Sequence, residues 1–225
     1  MIKYSFTLLF ICFIGFAAEG QTAAQYAKRI ATHEKGVERI EKRDQQIDKS
    51  KIETVFAGSS SITGWQGFSL DFDTTKVLNN GFGGSRMSDL LVFFDRVITV
   101  YHPKQLFVYE GDNDLNGGMT VDEYLADVKA FARLVEVKLP GTKLYLFSIK
   151  PSPSRSKNMA LFKEANARVE ALAKASSFIE YIDITKVMYD ANGQIKKEIW
   201  KSDSLHMSRK GYELWAPIVK PYVGK

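Results

Sequence analysis

The sequence predicts an α/β domain built on a parallel sheet, and three observations carry that prediction. Short apolar, β-rich runs alternate with longer segments from residue 54 onward. Those longer segments repeat their apolar residues at helical spacing, and neither an internal repeat nor a low-complexity linker breaks the alternation. The strand candidates are Thr54 to Ala57, Lys76 to Leu78, Gln105 to Tyr109, Lys143 to Ser148 and Ile179 to Ile184. Between them, Met87 to Val100, Val121 to Lys138 and Asn158 to Ser176 read as helices, the second through Leu125, Val128, Ala132 and Val135. Ser208 to Val223 reads as a last helix packing back onto the sheet.

Ahead of the first strand, Ala24 to Lys51 is polar and helix-favouring, with Tyr26, Ile30, Val37, Ile40 and Ile47 on one face. That stripe is narrow, because His33 and Asp44 occupy two of its positions and Gly36 weakens its middle. The expectation is a peripheral helix that lays this face on the fold, with Gly36 the point at which it would break. The first residues read differently. Lys3 in a short polar start, followed by the apolar run Phe6 to Ala18, has the form of a secretory leader and is too short for a stable membrane anchor. The chain therefore divides into a leader over 1–20, an N-terminal helical extension over 21–51 and a main domain over 52–225, with a secreted or periplasmic location expected.

The lone cysteine, Cys12, lies inside the leader. Cleavage would leave no disulfide, no thiol nucleophile and no cysteine-ligated metal. The 31 Lys and Arg against 26 Asp and Glu give a net charge of +5, spread without a basic stripe or interleaved aromatics. That distribution argues against a nucleic-acid partner.

Four short motifs fall at the ends of the first three strands and in the loop before the last helix. Gly58-Ser59-Ser60-Ser61 is a strand-to-helix turn that can expose a nucleophilic hydroxyl, or alternatively cap the helix it begins. Gly81-Phe82-Gly83-Gly84 can bring a backbone N–H close to a ligand, or be a structural turn; Arg86 stands where a dinucleotide fingerprint needs its third glycine. Gly111-Asp112-Asn113-Asp114 offers a side-chain amide, or an Asx turn capping the helix near Val121. Asp112, Asp114, Asn116 and Glu123 also satisfy an EF-hand loop pattern, but a strand precedes them where that motif requires a helix. Finally, Asp203-Ser204-Leu205-His206 sets a carboxylate three residues before a histidine, able to orient it as a general base.

In this order the motifs resemble the four blocks of the SGNH hydrolase superfamily, the GDSL-like lipases and esterases, from about Val55 to Tyr222. The resemblance implies a three-layer α/β/α sandwich with a five-stranded parallel sheet, the flavodoxin-like arrangement of that superfamily. It implies Ser60 as nucleophile, Gly84 and Asn113 as oxyanion donors beside the Ser60 N–H, and Asp203 and His206 as orienting carboxylate and base. Ser59 departs from the block, which usually carries aspartate there. No metal or organic cofactor is implied. The expected activity is that of a serine esterase whose substrate is a small-molecule or carbohydrate ester. The chain has no apolar insertion long enough for a lipid-gripping lid, which favours a short acyl group on a polar alcohol. Alternatives are a lysophospholipase-type lipid esterase and a non-catalytic glycan-binding module on the same fold. Trp65, Phe82, Tyr189 and Trp200 are candidate pocket walls, or ordinary core and rim aromatics.

Overall fold

The computed structural model describes residues 23–224, so the leader over 1–20 lies outside the described residues. Five parallel strands, β1 (Thr54–Gly58), β2 (Val77–Gly81), β3 (Gln105–Tyr109), β4 (Lys143–Phe147) and β5 (Ile179–Ile182), lie in the order β2-β1-β3-β4-β5. The chain reverses direction across the sheet after β2. The carboxyl ends of β1 and β3 therefore flank a topological switch point, the place where open α/β sheets bind ligands.

Alternation along the strands sorts the two faces chemically. Val55 and Ala57, Leu106 and Val108, and Leu144 and Leu146 form an aliphatic face with the helices α1 (Ala23–Asp44), α4 (Met87–Val97), α6 (Val121–Lys138) and α7 (Met159–Lys174). Phe56, Phe107, Tyr145 and Phe147 form an aromatic face with the one-turn helices α2 (Ser60–Thr63) and α3 (Phe68–Asp71) and with α8 (Arg209–Val219). Register makes the second face a ladder, because Phe56 pairs with Phe107 and Phe107 with Tyr145. Their rings stack at 4.5 and 4.3 Å between centroids, each pair adding about 1 kcal/mol beyond the area it buries. One further short helix, α5 (Asp112–Asn116), follows β3.

Helix α1 runs unbroken through Gly36, which is packed so closely that an added Cβ would lie 3.1 Å from the Phe82 Cβ. Val37 and Ile40 enter the aliphatic core. The two polar residues on the stripe are buried with partners. His33 Nε2 lies 3.3 Å from the buried Asp89, and Asp44 accepts from the Tyr101 hydroxyl and from Arg43. Two turn-spaced arginines, Arg39 and Arg43, donate to the carbonyls of Gly81 and Asn79 at 3.2 and 3.0 Å. They cover the open edge of β2, a surface that would otherwise invite pairing with another strand.

Strand β2 continues through Asn79, Asn80 and Gly81, three residues beyond the expected end at Leu78. Asparagine disfavours strands by competing for backbone bonds, but here each amide is tied down: Asn79 donates to Ile62 O at 2.6 Å and Asn80 to Val97 O at 2.7 Å.

Candidate functional site

The first motif leaves β1 at Gly58, whose φ of +136° and close approach to the Tyr109 carbonyl exclude a side chain. The Ser59 N–H donates to Tyr109 O at 3.2 Å, and α2 begins at Ser60. Ser59 and Ser61 are buried at 0 and 2% exposure, while Ser60 is half-buried. Of three consecutive serines, only Ser60 presents its side chain to solvent. The Ser59 hydroxyl has no hydrogen-bond partner among the described residues and does not cap α2, so backbone bonds hold the turn where the aspartate of the usual block is missing.

The second motif stands beside it. A Cβ built on Gly83 would lie 4.0 Å from the Ser60 Cβ, and Gly84 adopts a left-handed φ of +79°. Both glycines are exposed. The turn after them is fixed from below: the Ser85 hydroxyl donates to Glu110 at 2.6 Å, and the Asn113 amide donates to Ser85 O at 3.0 Å. An amide nitrogen carries two hydrogens, so Asn113 keeps one for a ligand. Asp114 joins the second and third motifs by accepting from Met87 N–H at 2.8 Å and Gly111 N–H at 3.0 Å. These contacts bring Ser60, Gly84 and Asn113 to one sheet edge.

Burial shapes the acidic floor of this edge. It raises Glu110 well above the usual carboxylate range, an effect deepened by the charge of Asp114, and lifts Asp114 to about 7 against the opposing pull of its N–H donors. Burial would also raise Asp112, but the Lys150 ammonium, 2.7 Å away and equally buried, overrides it and holds that carboxylate low. The four residues of the EF-hand pattern do not converge. Asp112 faces Lys150, Asp114 faces backbone N–H groups, Asn116 accepts from Asn158, and Glu123 accepts from the Thr120 N–H as part of the α6 cap.

In the fourth motif, the His206 Nδ1–H donates to Asp203 Oδ2 at 2.6 Å, leaving Nε2 with its lone pair in that tautomer. The other Asp203 oxygen accepts the N–H groups of Leu205 and His206, each at 2.9 Å. The His206 ring first, then these N–H groups, hold Asp203 far below the usual carboxylate range. Between the pair, Ser204 carries a φ of +55°, a conformation a non-glycine residue adopts at some cost. Helix α8, which follows at once, is tied back to the first motif: the Tyr212 hydroxyl donates to Ser61 O at 3.1 Å and Arg209 donates to Gln66 O at 2.8 Å.

Of the candidate wall aromatics, Trp65 and Phe82 are core residues at 4 and 1% exposure. Trp200 is half-buried and bridges to Met207 beside His206; Tyr189 is exposed and lines a separate cleft with Tyr181 and Asp183. Residues the motifs did not reveal also reach the sheet edge. A cavity of about 400 Å³ next to Gly84 and Asn113 is walled by Lys28, His33 and Arg86 among others. In the sequence this wall leaves one trace, the polar interruption of the α1 stripe at His33.

A parallel sheet carrying four such turns on its ligand-binding edge is the framework of a carboxylic ester hydrolase. Residues 53–214 match the GDSL-like lipase/acylhydrolase family, and the chain belongs to that family. Solved structures of the same fold include a Streptococcus pneumoniae protein described as a platelet activating factor, 24% identical with a TM-score of 0.73 over 90% of this chain and 99% of that one. A GDSL-like lipase from Bacteroides thetaiotaomicron is 22% identical, with a TM-score of 0.70 over 83% of this chain and 96% of its own. An acetyl-xylooligosaccharide esterase from Geobacillus is 14% identical, with a TM-score of 0.61 over 78 and 95%. Among curated protein sequences, none matches the chain.

Proposed function

We propose that the protein is an exported serine esterase that removes a short acyl group from a carbohydrate or other small polar alcohol. The observation that carries the assignment to Ser60 is its singular exposure between two buried serines at the head of α2. In this reading His206 takes the Ser60 proton as Oγ attacks the ester carbonyl. It then passes that proton to the departing alkoxide and activates the water that releases the acid. Asp203, ionised by its bonds, orients the ring and balances the charge of the imidazolium. The N–H groups of Ser60 and Gly84 and the free hydrogen of Asn113 receive the oxyanion, Gly84 through the left-handed turn that exposes it.

The small polar substrate is supported by the character of the cavity beside Gly84, which is walled by polar and charged side chains and glycines. The sugar-acetyl activity named for the Geobacillus structure points the same way. Export rests on the leader read over 1–20, with 21–51 as an extension of the domain. Among the described residues no helix is long and apolar enough to cross a membrane. The test is labelling by a fluorophosphonate together with hydrolysis of acetylated sugars and aryl esters of increasing chain length. Ser60→Ala is expected to abolish both while the circular dichroism spectrum is kept; labelling that persists in that variant would sink the assignment.

A further inference from the structure

The cavity beside Gly84 and Asn113 has a charge that ester hydrolysis alone does not require. Its walls include Lys28, Arg29 and Arg86, and no acidic residue lines it among the described residues. Arg29 is neutralised by the buried Asp89 behind it, to which it donates twice. Lys28 and Arg86 are not. Lys28 is exposed, and neither side chain makes a hydrogen bond or ion pair with any described residue.

Arg86 is the more telling of the two. Its guanidinium is half-buried and laid over Gly117, where any side chain would displace it. Burial, with repulsion from Arg29, lowers its affinity for its proton despite the opposing charges of Asp114 and Asp89. A cation removed from water without a partner is unfavourable, and a guanidinium presents a planar fork of donors that fits a carboxylate or phosphate. Asn116, on the same wall, adds a neutral polar group. His33 closes the floor, its Cε1 3.7 Å from the position a Gly84 Cβ would take.

We propose that Lys28 and Arg86 form an anion subsite joined to the oxyanion turn, so that the preferred substrate is a small ester bearing a carboxylate or phosphate close to its acyl group. The proposal rests on the esterase reading for the position of the ester, but the cation pair and cavity stand apart from the chemistry at Ser60. Lys28 comes from α1, outside the residues matched by the family, so this wall is supplied by the extension.

Three acetylated sugars separate the outcomes: acetyl-glucose, acetyl-glucuronic acid and acetyl-glucose 6-phosphate. The expected result is a kcat/KM for one or both charged esters roughly ten- to a hundredfold above the neutral one, expressed in KM and falling with added salt. The better of the two identifies the anion as carboxylate or phosphate. Arg86→Gln and Lys28→Gln should each reduce the charged-to-neutral ratio, and Lys28, being exposed, can be changed without threatening the fold. Equal rates on charged and neutral esters, or a ratio unmoved by both substitutions, would overturn the subsite while leaving the esterase intact. Calorimetry of glucuronic acid and glucose 6-phosphate on Ser60→Ala reads the subsite without turnover. Binding lost in Ser60→Ala/Arg86→Gln supports it even if no acetyl ester is hydrolysed, and absence of binding in Ser60→Ala counts against it.

Discussion

The Ser85 hydroxyl donates to the buried carboxyl of Glu110 at 2.6 Å, directly beneath the turn that carries Gly84. Among the described residues the second Glu110 oxygen has no partner, so this is the one side-chain bond that satisfies the group. Ser85→Ala should therefore destabilise the protein by about 1–3 kcal/mol, the penalty for leaving a buried polar group unmet. Glu110→Gln, which keeps the shape without the ionisable proton, should lose less. Urea denaturation midpoints of the two variants provide the comparison.

Asn113 gives one amide hydrogen to Ser85 O, and in the proposed esterase mechanism the other meets the oxyanion. Asn113→Ala is expected to lower kcat about 10²–10³-fold, roughly 3–4 kcal/mol of transition-state stabilisation. KM should move little, because the bond strengthens only as charge develops on the carbonyl oxygen. Steady-state kinetics on an aryl acetate measure the split.

The serine run allows a sharper contrast. Ser59 buries an unpaired hydroxyl, so Ser59→Ala should leave stability unchanged or raise it by up to about 1 kcal/mol and should preserve turnover. Ser60→Ala should do the reverse, retaining the fold and losing activity. A Ser59→Ala variant as inactive as Ser60→Ala would mean that the hydroxyl takes part in catalysis.

Burial raises three carboxyls: Glu110 well above its ordinary range, Asp114 to about 7 and Asp127 to about 6. Each retains in the folded state a proton that the unfolded chain releases near pH 4. Where the folded state binds more protons, stability falls as pH rises, here from about pH 4 through about pH 7. The urea midpoint should thus be higher near pH 5 than near pH 8. Asp127→Asn, which removes one of the three groups without breaking a hydrogen bond among the described residues, should flatten part of that slope.

Much of this molecule was legible because local signals agreed with one another. The apolar period of Val121 to Lys138 predicts that helix to its observed ends, where the Thr120–Glu123 cap opens it. All five strands are legible in the sequence, but the pattern ends β2 short of its observed length because asparagine weakens a strand pattern and its compensating bonds come from distant residues. Helices α2, α3 and α5 left no periodic trace, since a single turn has no period to show. Ser60, Gly84, Asn113, Asp203 and His206 are proposed through the resemblance of their motifs to the family's blocks; the different exposure of Ser60 from Ser59 and Ser61 is visible only in their burial. The meeting of Lys28 and Arg86 was not legible, because it joins segments almost sixty residues apart and depends on how α1 lies across α4.

The chain on either side of residues 53–214 is sewn into the domain from opposite ends. On one side α1 covers the β2 edge and fills the core with Val37 and Ile40. On the other, the Gln105 side chain at the start of β3 donates to Tyr222 O and accepts from the Gly224 N–H, both at 2.7 Å. Neither flank can peel away without baring the sheet it covers. Extension and hydrolase domain are therefore expected to melt in one cooperative transition, and a protein trimmed to the family segment to melt at a lower temperature than the full chain.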